Sequence, residues 1–189
     1  EALVLINQAL DLPERLTPQQ KVQLHGRQAG LYLNKGDTAM ATTAWAQAQT
    51  VCANTCSELM ALDVLQARIA LATKDGQLAL DASQRAISRH VRVALPDVLN
   101  QSVLATEQAN ALRTQAQAHL LLQAHELALT AAHSALQIDQ RLGLSNRVAM
   151  DLQVLADIHT RAGHSTRAVQ FAQDAARARG ESIPAAAPR

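Results

Sequence analysis

Aromatic side chains are nearly missing from this sequence. Tyr32, Trp45 and Phe171 are the only three among 189 residues. A β-sandwich or barrel fills its interior with β-branched and aromatic residues, so the shortage argues against an all-β chain. It also removes the stacking platforms that single-strand nucleic-acid binders need. Glycine (7) and proline (5) are scarce, which argues against many tight turns. Neither sign of charge dominates: 17 basic and 16 acidic residues leave a net of +1. That balance supplies no electrostatic footprint for nucleic acid or an anionic membrane. No apolar run approaches the ~18–20 residues that a membrane span requires. No signal-peptide pattern opens the chain. It begins Glu1-Ala2-Leu3-Val4-Leu5-Ile6, already inside an amphipathic pattern, and so reads as a processed or trimmed end. What is abundant is alanine and leucine, within an apolar fraction of 48%. The composition is that of a helical, soluble, adaptor-like chain of one to two domains.

One pattern recurs along the chain. An apolar-periodic helix contains a small residue, a short turn follows, and a second helix carries small residues seven apart. The first-helix alanines are Ala29, Ala67, Ala116 and Ala156. Twelve residues later stand Ala41, Ala79, Ala128 and Ala168, and seven beyond those Ala48, Ala86, Ala135 and Ala175. The turns are Asn34-Lys35-Gly36-Asp37, Lys74-Asp75-Gly76, Gln123-Ala124-His125-Glu126 and Arg161-Ala162-Gly163-His164. Antiparallel helices approach most closely where side chains are small, and an interval of seven keeps two alanines on one helical face. Each hairpin alone leaves an apolar face exposed, so the copies must stack. The opening residues Ala2, Ile6 and Ala9 match only the second half of a copy. Nine helices are expected, about 1–12, 18–34, 37–52, 57–73, 76–90, 97–122, 125–140, 145–162 and 165–179. Thr17-Pro18 and Pro96-Asp97 are start signals. Residues 180–189, with Pro184 and Pro188, read as a flexible tail.

The copy running through Ala29, Tyr32, Gly36, Asp37, Ala41, Trp45 and Ala48 resembles the tetratricopeptide repeat family. So does the copy with Leu152, Leu155, Ala156, Gly163, Ala168, Ala172 and Ala175. The resemblance covers roughly residues 1–179 and implies an all-α, right-handed superhelical solenoid of α-hairpins. It divides them into a half repeat at 1–12 and repeats at about 18–52, 57–90, 97–140 and 145–179. The family's proline after the second helix is missing at most places. The periods of 39, 38, 49 and 40 residues exceed the family's usual length, with the inserted length chiefly at 88–110.

Cys52 and Cys56 flank Ala53-Asn54-Thr55. A zinc site would need two further ligands and a redox motif a different spacing. A disulfide closing the interhelix loop is therefore the favoured reading, ahead of two free thiols. His119 and His125 are six apart, and His159 and His164 five apart. Neither interval stacks two rings on one helical face. Leu129 stands where a zinc-protease motif starting at His125-Glu126 needs histidine. No nucleophile–base grouping, phosphate loop or carboxylate pair is present, so a non-enzymatic chain without cofactor or metal is expected.

In solenoids of the resembled kind the first helix of each hairpin lines an inner groove. That places Arg27 and Asn34, then Arg68, then Arg113 and Gln117, then Asp157 and Arg161 on it. Four arginines in one channel would suit an acidic peptide, because guanidinium forks pair with carboxylates. The plainer alternative is that each is solvated or paired with a neighbouring acid. Terminal repeats normally present a polar outer face. Both ends here are apolar, so a homodimer through the terminal repeats or a trimmed end is expected. The favoured function is a protein- or peptide-binding scaffold in a bacterial envelope assembly. It would be periplasmic or outer-membrane associated, as part of a larger protein or a lipoprotein, since a disulfide implies an oxidising compartment. The alternative is a regulatory segment of a cytoplasmic transcription or signalling protein.

Overall fold

The computed structural model describes residues 1–53, 56–92 and 98–181. Among them are nine α-helices and no strand, so the all-α hairpin-repeat class expected from the sequence is the one observed. The chain forms two compact units, Glu1–Val93 and Ala94–Arg189. The first holds α1 (Ala2–Leu10), a short 3-10 turn (Pro13–Arg15), α2 (Pro18–Asn34), α3 (Thr38–Cys52), α4 (Leu59–Ala72) and α5 (Gly76–Arg92). The second holds α6 (Val98–Leu121), α7 (His125–Arg141), α8 (Ser145–Arg161) and α9 (Ser165–Ala178). The expected start at Pro96-Asp97 and most of the expected tail lie outside the described residues.

Local chemistry sets the helix ends. Thr17 and Gln20 form a reciprocal capping box: the Gln20 N–H donates to Thr17 Oγ1 at 3.2 Å and the Thr17 N–H to Gln20 Oε1 at 2.9 Å. Pro18 occupies the first helical position, where no N–H is missed. Asp37 and Asp75 cap α3 and α5 by accepting from the Met40 and Leu78 N–H groups, each at 3.0 Å.

All four hairpin turns share one geometry. Seven residues past each first-helix alanine the backbone turns left-handed, at Gly36 (φ 79°), Lys74 (φ 61°), Gln123 (φ 60°) and Gly163 (φ 78°). The next N–H reaches back to the carbonyl of Tyr32, Ala70, His119 or His159, at 2.8–3.0 Å. This is the Schellman arrangement, which satisfies helix-end carbonyls that would otherwise be orphaned. In the second turn the left-handed residue is Lys74. Gly76, expected in the turn, is instead the first residue of α5.

The alanine register is the packing contact. Ala29, Ala67 and Ala116 are fully buried and Ala156 is 3% exposed. Their second-helix counterparts at 41, 48, 79, 86, 128, 135 and 175 are fully buried too. With no side chain beyond Cβ, paired helices close to short interaxial distance and neighbouring leucines and isoleucines fill the flanks. In the first unit, one cluster joins Ala29, Ala41, Ala44, Leu65 and Ile69. The Trp45 indole N–H donates to the Leu62 carbonyl at 3.0 Å and ties α3 to α4. In the second, Leu155 and Ile158 of α8 are fully buried among Ala116, Ala128, Ala132 and Ala175.

Candidate partner-binding face

In the first unit exposed polar residues of α2 meet Ser57 and the half-buried Glu58, which lead into α4. Gln19 and Gln23 both donate to Glu58 Oε1 at 3.0 Å. The Ser57 hydroxyl donates to Glu58 Oε2 at 2.8 Å. Desolvation works to raise the Glu58 carboxyl, but the hydrogen bonds from Gln19, Ser57 and Gln23 outweigh it and hold its pKa below the ordinary value. Further along the same pair of helices, Arg68 donates to Asn34 Oδ1 at 3.4 Å. Two of the expected groove residues, Asn34 and Arg68, are thus brought together. Arg27 is exposed on α2 and lines a hollow shared with α1.

The second unit repeats one of these contacts with different chemistry. Asn110 stands six residues before Ala116, as Gln23 stands before Ala29. Arg147 stands nine before Ala156, as Glu58 stands before Ala67. Arg147 donates to Asn110 Oδ1 at 2.6 Å. The fold therefore places a polar bridge between consecutive first helices at one height and lets the residue types vary. The sequence reading overlooked Glu58 and Arg147, although aligning the copies on their alanines would have paired the positions.

Arg113 corrects the expected groove. Its side chain is 7% exposed, and its guanidinium faces two carboxylates rather than an open channel. Nε donates to Asp151 at 2.6 Å, Nη2 to Asp139, and Nη1 to Asn110 at 3.0 Å. Asp139 Oδ1 and Asp151 Oδ2 are buried with no hydrogen-bond partner. Burial pushes the Asp151 carboxyl up to about 6; Arg113 opposes this, and the neighbouring Asp139 adds to it. Residues in the same register of the first unit are Gly26, Cys52 and Leu62. There Cys52 and Leu62 pack with Val22 and Ala48 in an apolar cluster, and Cys52 is joined to Cys56 as a disulfide, with Cα atoms 5.1 Å apart. One unit closes this position with sulfur and leucine, and the other with an ionic network.

The remaining expected residues lie on the second unit. Gln117 is half-buried; Asp157 is exposed and accepts from Gln153 at 3.0 Å; Arg161 is exposed. Two further clusters are structural. Asp63, nearly buried on α4, pairs with Arg85 at 3.3 Å and Arg89 at 2.5 Å on α5. His159 is 3% exposed and stacks on Phe171, with centroids 5.3 Å apart. Its Nδ1 lies 3.4 Å from that of His164. The spacing of five does separate these rings on a straight helix, but the turn at Gly163 folds His164 back onto α8. Desolvation lowers the His159 pKa, and the nearby charges of Arg167, His164 and His133 lower it further. Among the described residues no group of three or more His, Cys, Asp or Glu is placed to hold a metal ion. Among them no helix is long and apolar enough to cross a membrane.

No family model matches the chain, and no curated protein matches it in sequence. Among solved structures it is similar to the crystal structure of the apo form of RapI, with a TM-score of 0.61 at 12% sequence identity. The alignment covers 94% of this chain and 49% of RapI, so the chain spans about half the length of that protein. At this identity the likeness shows the fold alone. It supports a helical-hairpin repeat without assigning the chain to the tetratricopeptide family.

Proposed function

We propose that the chain is a non-catalytic scaffold that holds a protein or peptide partner on the polar faces of its first helices. The observation that carries this is the recurring bridge between consecutive first helices, Gln23–Glu58 and Asn110–Arg147, with exposed arginines further along, Arg68 on α4 and Arg161 on α8. Such bridges fix the spacing of the helices, while Arg68 and Arg161 stand exposed at positions from which a carboxylate can be reached. The reading favours an acidic segment as the ligand. The Cys52–Cys56 bridge supports an oxidising compartment, hence the bacterial periplasm or the outer membrane.

The test is charge reversal, R68E with R161E, followed by capture from an array of Asp- and Glu-rich peptides. Both side chains are exposed, so the helices stay intact. Capture should fall at least about tenfold, as expected for losing charge-assisted hydrogen bonds at an interface. Undiminished capture refutes the reading. Two free thiols in protein purified without reductant would instead favour the cytoplasmic regulatory alternative.

A further inference from the structure

Asp139 of α7 and Asp151 of α8 meet in the second unit with both side chains fully buried, and the guanidinium that joins them, Arg113 of α6, is 7% exposed. Arg113 serves one oxygen of each: Nη2 donates to Asp139 Oδ2 and Nε to Asp151 Oδ1. The other two oxygens, Asp139 Oδ1 and Asp151 Oδ2, are buried without a hydrogen-bond partner. Two carboxylates against one guanidinium also leave one negative charge over, and an unbalanced buried charge is costly. The two carboxyl groups act on each other directly, through charge and through hydrogen bonding. A single proton answers all of this. Carried by one carboxyl and donated to the other, it cancels the surplus charge and satisfies both orphaned oxygens in one hydrogen bond. A metal ion fits less well. It would stand beside the Arg113 cation, and among the described residues no third His, Cys, Asp or Glu joins the pair.

We propose that Asp139 and Asp151 bind one shared proton, and that its release to solvent draws Arg147 from Asn110 to Asp151 and so opens the bridge between α6 and α8. Arg147 and Arg113 both donate to Asn110 Oδ1, at 2.6 and 3.0 Å, so a second guanidinium stands at the edge of the network. Arg147 lies four residues before Asp151 on α8, an interval that puts the two on one helical face. While the proton is held, the three buried side chains sum to zero charge and Arg147 keeps the amide oxygen. Once it leaves, Asp151 Oδ2 is an unpaired anion, and a charge-assisted bond to it outweighs one to a neutral amide. Glu107 of α6 stands behind Asn110, accepting from its Nδ2 at 3.4 Å. The charges of α9, which packs against α8, are engaged elsewhere: Arg167 acts on His159, and Asp174 pairs with Arg177. Burial, opposed by Arg113 and reinforced by Asp139, lifts the Asp151 carboxyl to about 6, so the release falls near neutral pH.

The test is carboxyl-carbon NMR of the intact chain from acidic to alkaline pH, with the arginine side-chain resonances followed in parallel. Asp139 and Asp151 should titrate as a pair in two separated steps, and the Arg147 resonance should move with the upper one. D139N should lower the Asp151 midpoint by at least about one pH unit, a tenfold weaker hold on the proton. R147Q should raise the upper midpoint by about half a unit, because the ionised pair then has no second cation. Both substitutions nearly keep the side-chain volume, and far-UV circular dichroism checks the fold. An Asp151 midpoint that D139N leaves in place means that burial alone holds the proton, which overturns the sharing. An Arg147 resonance in the parent that ignores the upper step, or a midpoint that R147Q does not move, overturns the switch. The bridge it controls is one of the two that the proposed function rests on. No ligand takes part in the titration, so this proposal can fail while that function stands.

Discussion

Replacing Asp151 by Asn should make the protein more stable near neutral pH, although the substitution removes one half of a buried ion pair. The second unit holds two carboxylates, Asp139 and Asp151, against the single guanidinium of Arg113, all at or below 7% side-chain exposure. One negative charge is therefore left over, and one oxygen of each carboxylate has no partner. Because burial pushes the Asp151 carboxyl from an ordinary 3.8 to about 6, the folded protein binds a proton more tightly than the unfolded chain does. The sign follows from linkage: the site is relieved below about pH 4, and stability is lost as pH rises through about 6. At about 1.4 kcal/mol per pKa unit, the cost of the charged state above about pH 6 is on the order of 2–3 kcal/mol. An asparagine keeps the acceptor for Arg113 Nε and supplies a donor where Asp139 lacks one, so D151N should recover roughly 1–2 kcal/mol of that cost. Urea denaturation followed by far-UV circular dichroism at several pH values reads the effect. Trp45, the sole tryptophan, reports the first unit by fluorescence and serves as an internal reference. The difference between D151N and the parent should be positive near pH 7.5 and fall to zero or slightly below it towards pH 4. His159, whose lowered pKa works in the opposite direction on acidification, is present in both proteins and cancels. A D151N protein that is destabilised by the same amount at every pH would refute the argument. It would mean that the ionised Asp151 is net stabilising, with Arg113 compensating both carboxylates.

Two further outcomes test the frame. The left-handed residues Lys74 and Gln123 carry a Cβ that Gly36 and Gly163 do not. K74G and Q123G should therefore each stabilise by roughly 0.5–1 kcal/mol, and G36A should destabilise by about 1 kcal/mol, in thermal or urea unfolding. Unchanged midpoints in all three would show that the turns are not under this conformational strain. Closing the short loop between Cys52 and Cys56 should contribute about 2 kcal/mol through the entropy of the unfolded chain. Protein purified without reductant should show no free thiol, and reduction should lower the Trp45 unfolding midpoint. A midpoint indifferent to reductant would deny the bridge a stabilising role.

Much of the frame was legible because its signals are short-range. The bounds of α2, expected at 18–34, coincide with Pro18–Asn34, since Thr17, Pro18 and Gln20 act through neighbouring backbone groups. The alanine intervals of twelve and seven needed only helical geometry and a turn of constant length. The site was less legible. Asn34 and Arg68 meet as neighbouring first helices should, but Arg113 looked like a groove arginine because its acidic partners sit 26 and 38 residues away on α7 and α8. Glu58 and Arg147 have no local signature, and only the alignment of copies gives them a shared place.

The amino-acid order alone determined that this chain is helical, that it folds into hairpins of constant register, and where each hairpin turns. Those properties rest on interactions within one helix or across one turn, and separations in sequence encode them directly. Tertiary packing decided which charges are withdrawn and which stay exposed. Cys52 and Leu62 close an apolar joint with Val22 and Ala48 in one unit, while Arg113, Asp139 and Asp151 form an ionic one at the same register in the other. Solvation of a side chain depends on what three separate helices bring to one point, and the sequence near any one of them does not carry that information.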